Sequence, residues 1–217
     1  MAYTYAQLQT AIQDTVQNYE SSFVAHVPDF ITQTEKDVYN AVQSLCARKN
    51  ATGTVTASYQ YVAVPSDWLA TYQFAIINPT TFTYTYLIQK EPDFIREAYP
   101  IAATTAPPVH YALYDISTFI LGPTPDQAYG LELSYLAYPT SLTAGAGTAT
   151  TWLSTNYEHV LLYGSLRYAY TYMKGEADLI KQYTDLFTTA LMELQQLENG
   201  KRRRDAYRSG SPRVKVA

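Results

Sequence analysis

The apolar residues of this chain change period twice, and that change limits the folds open to it. Leu8, Ile12, Val16 and Tyr19 repeat at helical spacing, and so do Ile31, Thr34, Val38, Ala41, Val42 and Leu45. From Thr54 the repeat shortens to two residues, and helical spacing returns only after Thr150. The expected order is two helices, a β insertion and two more helices. That is an α+β chain in which the N- and C-terminal helix pairs (1–53 with 151–200) make a four-helix bundle. Residues 54–150 form an inserted antiparallel β-domain, and 201–217 follow as a basic C-terminal arm.

Local signals give this order its boundaries. Thr4 and Gln7 have the spacing of a reciprocal helix cap. Pro28 suits the first turn of a second helix, and Asn50 to Gly53 reads as that helix's end. TVTASYQYVAVP (54–65) alternates as a strand, with Val55, Tyr59 and Tyr61 on one face. FAII (74–77) and TFTYTYLI (81–88) flank Asn78-Pro79-Thr80 as a hairpin. EPDFIREAY (91–99) reads as a short helix opened by Pro92. HYALY (110–114), STFIL (117–121) and YGLELSYLAY (129–138) supply three more strands, enough for a small antiparallel sheet or sandwich. Residues 140–150 are rich in Gly, Ala and Thr and are expected to be mobile. Thr155 and Glu158 form a second capping pair. From Val160 to Met173, 10 of 14 residues are apolar or tyrosine, so this helix is either central or at a subunit contact. Gly175 is expected to end it. A stripe from Leu179 to Leu197 follows, closed by Asn199-Gly200.

Charge is distributed unevenly. The chain has net charge -4, yet residues 201–217 carry Lys201, Arg202, Arg203, Arg204, Arg208, Arg213 and Lys215 against Asp205 alone, or +6. The preceding 200 residues therefore stand at -10. An acidic body with a basic tail is the pattern of an interaction arm. Such an arm orders on an acidic partner surface, where the arginines fork onto carboxylates, or attracts nucleic acid through its phosphates. The single cysteine, Cys46, permits no internal disulfide. The opening residues lack the pattern of a signal peptide, and no run reaches the ~18 apolar residues of a membrane span.

Catalytic arrangements are not evident, and no cofactor or metal is implied. His26, His110 and His159 lack metal-ligand spacing, and no Gly-rich phosphate loop or nucleophile elbow occurs. Glu91 and Asp93 resemble a carboxylate pair but suit the positive end of the short helix better. The chain reads as a non-enzyme. Its 22 tyrosines are mostly strand and core residues. Tyr157, Tyr163, Tyr168, Tyr170 and Tyr172 crowd one helix and point in several directions, which makes them candidates for a contact with a neighbouring subunit.

These segments, taken in order, resemble the head-to-tail adaptor proteins of tailed bacteriophages, the family that includes the tail tubular protein A of short-tailed phages. The resemblance rests on YTYAQLQTAI, VPDFITQTEKDVYNAV, VPSDWL (64–69), LGPTPDQAYGLELSYLAYPTSLT and TTWLSTNYEHVLLYGSLRYAY. It implies a ring, usually of twelve copies, beneath the portal at the virion neck, assembled in the host cytoplasm. In such a ring the helical domains pack side by side, the C-terminal segment (here 201–217) binds the portal protein, and the β-domain (54–150) meets the nozzle or tail tube protein. Genomic DNA passes through without sequence-specific binding, and no membrane is involved. Two other readings stand beside it. One is a carbohydrate-binding β-module of a tail appendage, suggested by the Tyr-rich strands. The other is a small DNA-binding packaging accessory, suggested by the tail.

Overall fold

The computed structural model describes residues 2–42, 45–145 and 147–202, without the side chains of Leu45, Lys201 and Arg202. Within them the chain is α+β, with six α-helices and two four-stranded sheets. It divides into two compact units, one of residues 1–46 and 139–217, the other of residues 47–138.

The first unit holds α1 (Tyr5–Val16), α2 (Ser21–Ala41), α4 (Trp152–Asn156), α5 (Glu158–Tyr172) and α6 (Ala177–Arg202). The expected reciprocal cap opens α1: Gln7 N–H donates to Thr4 Oγ1 and Thr4 N–H to Gln7 Oε1 at 3.3 and 3.0 Å. Helix α5 packs against α1, α2, α4 and α6, burying Val160, Leu161, Gly164, Ser165, Leu166 and Ala169. It is the central helix of this unit, one of the two places its apolar circumference allows. Leu8 and Ile12 of α1, Phe23, Val27, Ile31 and Val38 of α2, and Phe187, Ala190 and Leu194 of α6 complete the interior. Each such side chain contributes roughly 1.5–3 kcal/mol on burial.

Several boundaries differ from the expected ones. Helix α2 starts at Ser21, so Pro28 lies inside it. Loss of one N–H donor is tolerable there because a long apolar face holds the helix in place. Thr155 belongs to α4, and the capping pair that operates is Thr151 with Ser154, while α5 starts without a side-chain cap. At the end of α5 the left-handed residue is Lys174 (φ 54°), and Gly175 N–H returns to the Tyr170 carbonyl at 2.9 Å. Helix α6 runs past Asn199-Gly200 to Arg202. Within 140–150, the described residues Leu142, Gly147 and Ala149 make definite contacts. Leu142 is buried in a 3-10 turn (Leu142–Ala144), and the first N–H groups of α1 find carbonyls here, Tyr5 to Ala149 and Ala6 to Gly147.

In the second unit one sheet has the order β1 (Arg48–Thr54), β8 (Gly130–Leu136), β3 (Ala70–Ile77), β4 (Tyr84–Tyr86), all antiparallel. The other has the order β2 (Tyr61–Ala63), β7 (Thr118–Gly122), β6 (His110–Asp115), β5 (Ile88–Gln89), with β5 parallel to β6. Phe74, Ile76, Leu131, Leu133 and Tyr135 from the first and Tyr111, Phe119 and Leu121 from the second share one buried cluster, so the sheets face each other. Phe74, Tyr111 and Trp68 meet Phe74, Tyr111 or Phe119 edge to face at 5.1–5.7 Å. The short helix α3 (Pro92–Ala98) opens on Pro92 as expected and packs Ile95 against Ala112 and Ile120 on the second sheet's other face.

Asn50 to Gly53 is thus strand, and the alternation of 54–65 is interrupted by a turn at Ser58 (φ 62°). Strand β1 pairs with β8 along its whole length, from Arg48 opposite Leu136 to Thr54 opposite Gly130. Asp67, in the VPSDWL segment, accepts from Lys49 Nζ (2.6 Å) and Tyr135 Oη (2.8 Å). The Lys49 ammonium holds its carboxyl below the usual range.

A Cβ at Gly164 would meet Thr34 Cγ2 at 2.3 Å and the Phe187 ring at 2.9 Å. Gly164→Ala is therefore expected to cost about 1–3 kcal/mol through overpacking. Urea titration should show a lower midpoint, and an unchanged midpoint would contradict this packing.

Candidate functional site

Four of the candidate subunit-contact tyrosines lie on α5 and Tyr157 directly precedes it; they fall into two groups with a polar tie between them. Near its start, the Tyr157 ring is 5.8 Å from Trp152 and 6.0 Å from His159, and Tyr163 is 6.3 Å from His159. His159 Nε2 lies 3.7 Å from Glu193 of α6. At its end, Tyr172, 44% exposed, packs beside His26, Phe30 and Phe23 of α2 at 5.1–6.2 Å. Tyr170 stacks on Tyr183 of α6 at 5.2 Å and 13°. Between the groups, Tyr168 donates to Asp37 Oδ2 at 2.7 Å, and Arg167 reaches the same oxygen while its guanidinium lies over Phe187. Burial, then the Asp37 carboxylate, raises the Tyr168 phenol above its ordinary value.

Of the basic arm, Lys201 and Arg202 are the last residues of α6. Arg203, Arg204, Arg208, Arg213 and Lys215 lie outside the described residues. The surface of α6 that leads to the arm carries Asp178, Lys181, Gln182 and Asp185, with Leu186 and Met192 exposed.

Each histidine has its own neighbours. His26 pairs with Asp29 at 3.1 Å, and His110 with the Tyr99 hydroxyl at 2.8 Å. Among the described residues no group of three or more His, Cys, Asp or Glu could hold a metal, and no helix is long and apolar enough to cross a membrane. Glu91 is the N-cap residue of α3 and Asp93 lies in its first turn, where carboxylates favour the helix dipole.

The family of the SU10 adaptor protein matches residues 3–214. The chain belongs to it. No curated protein matches the chain. Membership makes this protein a bacteriophage head-to-tail adaptor, a structural component whose work lies in contacts with other head and tail parts. Two features of the adaptor had no clear sequence signal. One is the buried carboxylate of Glu35 on α2, which accepts from Ser141 Oγ (2.5 Å) and from Leu142 N–H (3.0 Å) and so fastens the 141–144 turn. The other is Phe82, 75% exposed on the β3–β4 turn. A helical stripe contains no sign that one glutamate turns inward, and an aromatic beside Asn-Pro-Thr looks like any strand residue.

Burial raises the Glu35 carboxyl above its ordinary value, outweighing the two hydrogen bonds that favour its charge. The folded state thus holds this proton more readily than the unfolded chain does. The stability it contributes is complete below the unfolded value and is lost as pH rises through the raised one. The stability difference between the native chain and Glu35→Gln should therefore shift in favour of the native chain as pH falls from 7 towards that range. Denaturant midpoints at several pH values read this directly, and a pH-independent difference would contradict it.

Proposed function

We propose that this adaptor forms a closed ring, of twelve copies, between the portal and the tail. The observation that carries the reading is the extent of the family match, which covers both units and most of the basic segment. Helices α1, α2, α5 and α6 act as a four-helix bundle that packs beside its neighbours. Tyr157, Tyr163, Tyr168, Tyr170 and Tyr172 are the candidate contact residues, and exposed Tyr172 is the first to examine. Three polypeptide partners follow from this: the portal protein, the neighbouring copies, and the nozzle or tail tube protein, which the β-unit meets.

The arm, Lys201 to Ala217, carries +6 on a chain of net charge -4. It docks on acidic portal surface, where Arg202, Arg203, Arg204, Arg208 and Arg213 make forked bonds to carboxylates and Lys201 and Lys215 add point charges. The acidic body suits a passage wall along which DNA slides without being gripped. The place of action is the virion neck.

Truncation after Gly200 tests the arm. The truncated chain should keep its helical circular dichroism and lose docking on portal rings in a pull-down. Docking of the full chain should also weaken as salt rises. Undiminished docking by the truncated chain would overturn the role of the arm.

A further inference from the structure

Residues 78–83 form a turn whose hydrogen bonds present one aromatic ring to solvent. Asn78 Oδ1 accepts from the N–H groups of Thr80 (2.9 Å) and Thr81 (3.1 Å). Phe82 N–H donates to the Asn78 carbonyl at 2.9 Å, and Asn78 N–H to the Thr83 carbonyl at 3.1 Å. Phe82 is held at φ 55° and is 75% exposed. A bulky residue in the left-handed region is unfavourable, and so is an exposed phenyl ring. Both persist here because the turn's own bonds impose them. Tyr84 and Tyr86 on β4 flank it, 53% and 57% exposed.

The β-unit also has a place to receive such a ring. Between β1 and β2 lies a cavity of about 230 Å³ bounded by Ala51, Gly53, Val62, Phe74, Phe119 and Leu133. An enclosed cavity of roughly 150 Å³ lined by Leu, Ile and Phe admits benzene; this one is partly open and its rim adds Thr52 and Thr54, and by volume it has room for a phenyl group. A Cβ built on Gly53 meets nothing within 4 Å.

The positions of the two features decide the partner. The first sheet runs β1, β8, β3, β4, so the ring projects beside one edge strand while the cavity opens beside the opposite edge. A projection on one edge and its receptor on the other define a heterologous contact, which joins copies head to tail, the kind of contact a closed ring repeats between neighbours. Residues 50–66 and 68–89, which carry cavity walls and hairpin, contain no Asp, Glu, Lys or Arg, as suits the core of a contact between proteins. Ile116, the most exposed of the unit's large apolar side chains at 89%, adjoins the Asp115 carboxylate, a charge that an uncharged cavity would exclude.

We propose that Phe82 of one copy enters the β1–β2 cavity of the next, so that the β-units form their own belt of contacts around the ring. The inference rests on the ring reading. It is tested with the photoreactive analogue p-benzoylphenylalanine at position 82 of the full chain, using mixed isotope-labelled and unlabelled copies on portal rings that electron microscopy shows to be assembled. Irradiation should link position 82 to residues 51–63 of a different copy. Gly53→Leu, which fills the cavity, should lower the yield at least about tenfold, as expected for loss of one buried aromatic anchor. Links within one copy, links to a tail protein, or assembled rings without links would overturn the inference and leave the ring standing. Absence of rings on the portal would remove both.

Discussion

Helix α5 can lie against α2 and α6 at one level only because residue 164 has no side chain. Thr34 Cγ2 and the Phe187 ring occupy the space a Cβ would take. Once the three helices are that close, Asp37, Arg167, Tyr168 and Phe187 come within reach of each other. One carboxylate then takes two donors while the guanidinium lies on the ring. Glu35, two residues before Asp37, fastens the 141–144 turn. That turn adjoins residues whose carbonyls receive the first N–H groups of α1. A single glycine thus stands behind much of the order in the helical unit.

The β-unit rests on a different arrangement, one aromatic cluster between two sheets. Phe74, Tyr111, Phe119 and Trp68 meet edge to face, and Asp67 ties β1 to β8 through Lys49 and Tyr135. The VPSDWL segment therefore holds the sheet's polar rim and its aromatic interior together.

Much of this was legible in the sequence, and the exceptions have physical causes. The Thr4–Gln7 cap, the alternation of β8 and the Asn78 turn could be read because local chemistry and tertiary structure agree there. Strand β1, RKNATGT, was hidden because it is an edge strand exposed on nearly every residue, held by backbone bonds to β8 that leave no mark in side-chain pattern. Pro28 misled because tertiary burial of α2 overrides a local breaker. Thr155 had the spacing of a cap, but Thr151 reaches Ser154 one helix earlier. The tyrosines at and along α5 stand out in the sequence only as a crowded group. Their division into two aromatic groups and a polar tie depends on partners from α2, α4 and α6 that no local pattern names.

Family membership and the two units support one account, a connector whose chemistry is spread over surfaces. Cryo-electron microscopy of the full-length chain mixed with its portal is its most direct measurement. The account predicts a closed ring of adaptor copies with their C-terminal segments lying on the portal. Isolated copies on the portal, or a ring that contacts it through the β-unit instead, would contradict it.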